Sequence, residues 1–227
     1  IAVPGYIQLQ GGGKYGTPHY VNTQYPWDGH ERLEPPAVPE RYNPVGCYVR
    51  GFAVPQSWDG PVCVRFDGVE TAFAVWCNGV FIGYSEDSYD PHTFDITDLL
   101  HAKGEKNTLA VKVFKFCDGT WLEDQDMIYD GGIFRDVYLT STPAVHVQDY
   151  DLNYDLNEDY TAADMKLSLN TVNDAVTDAA DMAAKVALYD AQGNEVAKTN
   201  AVLGTIAAGK TGEKEISMTV TDPKLWD

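Results

Sequence analysis

The stretch VRFDGVETAFAVWCNGVFIGYSEDS, residues 64–88, decides the fold class. The runs that flank Asn78-Gly79, AFAVWC and VFIGY, are dense in β-branched and aromatic residues, which fit a pleated, half-buried surface. Asn-Gly between two such runs is the strongest short-range hairpin signal, because a type I′ turn needs positive φ at both central positions. The stretch predicts an antiparallel ladder.

The same pattern recurs on either side. CVRFDGV, LAVKVFKF, IFRDVYL and AVHVQDYDL read as strands of period two, separated by the turn signals WDGP, SYDP, KGEKN, DGT and DGG. TDLLHAKG is the one helix-like segment before residue 143, one turn or two, with Thr97 as its expected N-cap and Gly104 as its stop. Many short strands with almost no helix predict a β-sandwich or barrel.

Residues 1–45 differ. Pro4, Pro18, Pro26, Pro35, Pro36, Pro39 and Pro44 make up seven of the chain's 12 prolines, and proline rarely belongs in a central strand. A long irregular loop is expected, and such loops are usually functional or disordered. Tyr6, Tyr15, Tyr20, Tyr25, Trp27 and Tyr42 argue against disorder.

Composition shifts near Pro143: cysteine vanishes, aromatics thin out and Ala, Asp, Thr and Lys dominate. HVQDYDLNYDL, DMKLSLNTVN and EKEISMTV read as strands. DAVTDAADMAAKVAL imitates an Ala-rich helix, but KVALYD-AQGN-EVAKT makes a cleaner hairpin, so turn and strand are expected. Regularly spaced short strands over this part suggest an immunoglobulin-like sandwich without its disulfide.

The bulk numbers exclude several classes. With 44% hydrophobic and 22% charged residues the chain is an ordinary globular one. Lys plus Arg is 16 against 34 for Asp plus Glu, a net charge of −18 with no basic cluster. Nucleic acid and anionic membrane surfaces are therefore not expected partners. No apolar run approaches the roughly 20 residues of a membrane helix. Cys47, Cys63, Cys77 and Cys117 show no CxxC spacing and are expected as reduced, buried thiols, which favours a cytoplasmic location. The chain opens Ile1-Ala2-Val3 without Met and stops at PKLWD, so both ends are expected to be cut.

WLEDQDMIYDGGIFRDV, residues 121–137, crowds Glu123, Asp124 and Asp126 into four positions. Three readings stand open. A glycosidase acid/base pair needs carboxyls on opposite sides of a sugar ring, roughly 5–9.5 Å apart, which one loop rarely achieves. A structural turn would use the carboxylates to cap backbone N–H groups or to pair with Arg135. A ligand or cation loop would offer hard oxygens to sugar hydroxyls or an ion. His19 and His30, with Asp28, lack the spacing of closed zinc sites and are expected to pack or to face solvent. In HYVNTQYPWDG, Tyr20, Tyr25 and Trp27 offer flat faces and Asn22 a donor and an acceptor, the mixture used by sugar sites, though simple packing fits equally well. No GxSxG, Walker, HExxH or helix-opening GxGxxG motif is present.

In order along residues 1–143, VPGYIQLQ, HYVNTQYPWDG, NPVGCY, the 64–88 stretch, FDIT and DGTWLEDQDMIYDGGIFRDVYL resemble the N-terminal region of the bacterial β-galactosidases of glycoside hydrolase family 2. The β-glucuronidases of the same family share the FDGV…A…WCNG pattern but usually lack TWLEDQDM. The later part resembles the family's immunoglobulin-like domain, with PKLW near its end.

The resemblance implies an all-β architecture: a galactose-binding-like jelly roll over 1–143, lacking its first strands, and an immunoglobulin-like sandwich over 144–227, cut short. It implies a catalytic (β/α)₈ barrel elsewhere in the polypeptide that holds both catalytic glutamates, so no catalytic residue is expected here and the chain alone should be inactive. Asn22, from the family's Tyr-x-Asn tract, and Asp126, the last Asp of LEDQD, would contact the galactosyl group, and Asp126 would also help hold sodium. Glu86 and Asp118 match positions around a peripheral magnesium, although Glu86 stands where relatives carry Gln. The implied partners are a galactoside, the remaining domains of the same polypeptide and, for the full-length enzyme, identical subunits in a homo-oligomer. The GGGKYG insertion and the WDGHERLEP loop are longer than in the best-known enterobacterial form. The competing reading is a free-standing carbohydrate-binding module with an immunoglobulin-like spacer; an adhesin is a third.

Overall fold

The computed structural model describes residues 1–123 and 126–225 and divides into two compact units, Ile1–Ser141 and Thr142–Asp227. Asp124 and Gln125 of the acidic loop, and Trp226 of PKLW, lie outside the described residues.

In the first unit, β1 (His19–Val21), β2 (Val45–Phe52), β3 (Val62–Phe66), β4 (Ala72–Cys77), β5 (Val80–Ser85), β6 (His92–Asp95), β7 (Asn107–Phe114), β8 (Met127–Tyr129) and β9 (Val137–Ser141) follow in chain order. They form a four-stranded sheet β2-β7-β4-β5, a three-stranded sheet β6-β3-β9 and a two-stranded ribbon β1-β8. Every pairing is antiparallel. The two larger sheets share one core, a jelly-roll sandwich: Val62, Val64 and Phe66 from β3 meet Phe73, Val75 and Cys77 from β4 and Val111 and Val113 from β7. Burial alternates along β3, as period two demands, whereas β4 is buried on nearly every residue. That is why AFAVWC reads as a continuous apolar run. Phe73 sits at its centre, 5.0 Å from the Phe66 ring and 6.1 Å, edge-on, from Phe94.

The predicted hairpin turn is present, with φ of 50° at Asn78 and 84° at Gly79. Asn78 also spans the turn to its neighbours. Its Nδ2 donates to the Leu99 carbonyl at 2.7 Å and to Asn107 Oδ1 at 2.8 Å, and its Oδ1 accepts from the Thr108 N–H at 2.9 Å. A Cβ on Gly79 would meet nothing within 4 Å, so a substitution there carries only the conformational cost of a left-handed backbone. Gly79→Ala should destabilise the chain by about 1–2 kcal/mol, read from urea unfolding; an unchanged midpoint would mean that the turn relaxes freely.

The helix expected in TDLLHAKG is only a 3₁₀ turn, Thr97–Leu99. Its N-cap position is Ile96, not Thr97, and Asp95 Oδ1 before it accepts from the Thr97 N–H at 2.9 Å and from the Thr97 hydroxyl at 2.6 Å. Ile96 is wholly buried and hydrogen-bonded to Val62, and β7 begins at Asn107, which leaves no length for a helix; Gly104 (φ 85°) serves a later turn. The strand expected in IFRDVYL starts later too, at Val137. Cys47, Cys77 and Cys117 are free, but Cys47 is exposed, against the expectation of buried thiols, because it points away from the core on the alternating β2.

The long loop before β2 is ordered by one carboxylate. Glu31 accepts the N–H groups of Glu40, Arg41 and Tyr42 at 3.2, 2.8 and 2.8 Å. These bonds pull its pKa below the ordinary carboxylate value despite some desolvation.

In the second unit, β10 (Val145–Leu156), β11 (Ala162–Asn173), β12 (Ala179–Tyr189), β13 (Glu195–Ile206) and β14 (Lys210–Thr221) form the sheets β10-β11-β14 and β12-β13. DAVTDAADMAAKVAL is turn and strand, as expected, because its alternate residues are needed on one face of the β12-β13 hairpin. Asp190 Oδ1 closes that hairpin by accepting from Gln192 and Asn194 N–H at 2.9 and 2.8 Å, with Gly193 at φ 83°. Ala163, Met165 and Val220 pack with Leu188 and Ala197 from the other sheet, the immunoglobulin-like arrangement of two facing sheets. Among the described residues no helix is long and apolar enough to cross a membrane.

Candidate functional site

The ribbon β1-β8 brings the two halves of the acidic and Tyr-x-Asn motifs together. Its register pairs His19 with Tyr129, Tyr20 with Ile128 and Val21 with Met127. Asn22 and Asp126 flank the last rung, Val21–Met127, each one residue outside its strand. Side chains alternate across a strand and opposed residues share a face. Tyr20 and Ile128 therefore lie on one face, and they, Asn22 and Asp126 are all exposed. The Tyr20 hydroxyl donates to Asp126 Oδ1 at 2.5 Å, a diagonal contact across that face.

The opposite face is held by an aromatic cluster. Tyr129 and Val21 pack on Trp27 and Phe116, with Tyr25, Leu33, Tyr42 and Trp121 around them. Trp27 is 1% exposed, stacked on Tyr25 at 5.2 Å and met edge-on by Trp121 at 4.7 Å. Trp121 Nε1 donates to the Ala37 carbonyl at 2.8 Å, and the Tyr25 hydroxyl to the Trp121 carbonyl at 3.3 Å. Of the three aromatics read as possible sugar faces, only Tyr20 is free to serve; Tyr25 and Trp27 are support. The histidines pack: His30 stacks on Tyr42 at 4.2 Å and His19 meets it edge-on at 6.1 Å. Burial, with Lys115 and His30 nearby, lowers the His19 pKa.

Behind the ribbon lies a buried charge cluster that sequence reasoning missed. Glu70, Lys115 and Asp130 are all buried, and Glu70 exchanges both backbone hydrogen bonds with Gly132, at 3.0 and 2.9 Å. Asp130 Oδ1 has no hydrogen-bond partner among the described residues. Burial, then the Asp130 charge, pushes the Glu70 carboxyl up to about 7, opposed by its hydrogen bond with Tyr6 and by Lys115. Burial lowers Lys115, and the two carboxylates offset this. Tyr6 is pushed up to about 12 by burial and by Glu70.

The pH consequence has a definite sign. Glu70 binds its proton more tightly folded, at about 7, than at its ordinary value of 4.5. Its contribution is complete below pH 4.5 and is lost as pH rises through 7. The loss is at most about 3 kcal/mol. Glu70→Gln should abolish this slope and make the chain more stable than the parent at pH 8, measured by urea unfolding at pH 5 and pH 8; parallel stabilities at both pH values would refute it.

Glu123 lines a small polar cavity with Glu70, Ser88, Thr120 and Tyr129, and its carbonyl accepts from the Tyr129 hydroxyl at 3.2 Å. Burial, then Asp87 and Glu86, raises its pKa. Arg135 finds no carboxylate among the described residues. It donates to the Asp67 and Tyr89 carbonyls at 3.2 and 2.6 Å and lies over the Phe134 ring at 5.2 Å. Its side chain is exposed, so no buried anion is needed.

Glu86 and Asp118 are brought together with Cys117, their ligand atoms all within 4.8 Å of one another. Burial, then the Glu86 charge, raises the Cys117 thiol, which leaves it protonated. The two carboxylates suit a hard cation such as magnesium, which asks for oxygen; the thiol does not. Glu86 already accepts from the Tyr84 hydroxyl at 2.6 Å, so the pair forms part of a shell and no more. At Asp126 the donor is again a hard oxygen that fits sodium, and one carboxylate cannot complete such a site by itself.

Residues 1–143 match the family model described as glycosyl hydrolases family 2, sugar binding domain, and residues 145–227 match the model glycosyl hydrolases family 2. A β-galactosidase of Priestia megaterium is 49% identical over 86% of this chain and 19% of its own length. One of Halalkalibacterium halodurans is 44% identical over 100% of this chain and 21% of its own length. The chain thus spans about a fifth of these curated relatives. Among solved structures, a Bacteroides uniformis β-glucuronidase, covalently bound to cyclophellitol-6-carboxylate aziridine, superposes with a TM-score of 0.71 at 25% identity, covering 80% of this chain and 22% of that one.

Proposed function

The chain belongs to glycosyl hydrolase family 2, and on that premise we propose that it is the non-catalytic N-terminal part of a retaining β-galactosidase, organised as a sugar-binding domain over 1–143 and an immunoglobulin-like domain over 144–227. The observation that carries the reading is the exposed end of the ribbon, where Tyr20 bonds Asp126 at 2.5 Å and Asn22 and Asp126 each stand one residue beyond the last rung. The Asp126 carboxylate accepts hydroxyl protons of a galactosyl unit, and the Asn22 amide offers it a donor and an acceptor. Together they form one wall of a pocket whose catalytic glutamates lie in the barrel of the full-length polypeptide. Sodium, when bound, would supply a fixed positive charge beside the sugar, with Asp126 as one of its oxygen donors. Glu86 and Asp118 would supply two donors to magnesium. The free thiols of Cys47, Cys77 and Cys117 support a reducing compartment, the cytoplasm.

The test is hydrolysis of aryl β-galactoside and aryl β-glucuronide by the full-length polypeptide and by this chain alone. The full-length protein should cleave the galactoside, with retention, and prefer it; the chain should cleave neither. Preference for the glucuronide, or turnover by the chain, would overturn the proposal.

A further inference from the structure

The Tyr20 hydroxyl is a contact that folding does not require. Tyr20 is 58% exposed and stands on the ribbon face away from the cluster of Val21, Trp27, Phe116 and Tyr129. An exposed hydrogen bond of this kind adds little stability, because water competes for both partners. Its effect is geometric. A carboxylate carries two oxygens and turns about its last torsion with little resistance. A donor fixed on Oδ1 sets the plane of the group and leaves Oδ2 directed elsewhere on the same face. The donor is itself well placed: Tyr20 lies on a ladder rung, opposite Ile128 and diagonal to Asp126, whereas Asp126 lies just before β8 and outside its paired residues.

We propose that Tyr20 is a positioning residue, one that orients the Asp126 carboxylate so that Oδ2 meets the hydroxyl group of a bound galactoside. The inference rests on the reading of Asp126 as a sugar contact. Tyr20 supplies no proton to the reaction and acts through Asp126. Removing its hydroxyl frees the carboxylate to rotate, and a hydrogen bond made in the transition state is weakened.

The test is a double-mutant cycle in the full-length polypeptide with an aryl β-galactoside: Tyr20→Phe, Asp126→Asn and both together. Tyr20→Phe keeps the ring and should lower kcat/KM about tenfold, most of it in kcat, as expected for a lost hydrogen bond to a charged group. In the Asp126→Asn background the same change should alter kcat/KM by less than about twofold, because the group it positions is gone. The thermal midpoint of Tyr20→Phe should match the parent's. Effects that multiply independently in the double variant would overturn the positioning role, as would an inert Tyr20→Phe beside an impaired Asp126→Asn; both leave the site itself standing. An inert Asp126→Asn would overturn the site reading and, with it, this inference.

Discussion

Replacing Asp126 by Asn in the full-length polypeptide is expected to lower kcat/KM on a β-galactoside by roughly 10²-fold while leaving the fold intact. The substitution keeps the size of the side chain and removes the negative charge. A hydrogen bond from a sugar hydroxyl to a charged acceptor is worth about 1.5–3 kcal/mol, and the neutral amide forfeits most of it. Asp126 is exposed and lies outside the paired residues of β8, so the urea midpoint should not move. The response to sodium should flatten as well, since a neutral oxygen is the poorer donor. Kinetics unchanged at every sodium concentration would remove Asp126 from the pocket.

Trp27→Ala is expected to have the largest effect on stability. Trp27 is wholly buried, stacks on Tyr25 and meets Trp121 and Phe116 edge-on. Emptying such a site costs about 3–5 kcal/mol. The loss reaches the exposed face because the ribbon has only three paired rungs, and an isolated two-stranded ribbon is marginal in water. Its inner face depends on the cluster. Hydrogen exchange at the amides of the outer rungs, His19–Tyr129 and Val21–Met127, should therefore accelerate beyond what the change in global stability explains, with Trp27→Phe intermediate. A loss under about 1 kcal/mol, with protection on the ribbon intact, would show that the cluster does not hold it.

Local patterning carried most of the fold. Asn78-Gly79 and Asp190–Asn194 announce their hairpins because the signal and the structure occupy the same few residues. The helix in TDLLHAKG stops at a single 3₁₀ turn because the wholly buried Ile96 and the nearby start of β7 outweigh a local propensity. The site was legible in a different way. The resemblance singled out Asn22 and Asp126 separately, but their place at one end of the ribbon arises from a three-rung pairing of residues about a hundred positions apart, which no window of sequence contains. The buried trio left less trace. Glu70 follows Gly68-Val69 just before the β4 run, Lys115 falls on the inward parity of its run with Val111 and Val113, where a lysine reads as the end of the strand, and Asp130 looks like one more acid before Gly131-Gly132. Their burial is set by the chain crossing at Glu70 and Gly132.

The central claim is that the ribbon face is one wall of a shared pocket. Calorimetric titration of galactose or lactose into this 227-residue chain tests it most directly. No detectable heat of binding is expected up to millimolar sugar, because Asn22 and Asp126 would contact a galactosyl unit from one side only. Sub-millimolar binding, abolished by Asp126→Asn, would contradict it and identify the chain as a carbohydrate-binding module complete in itself.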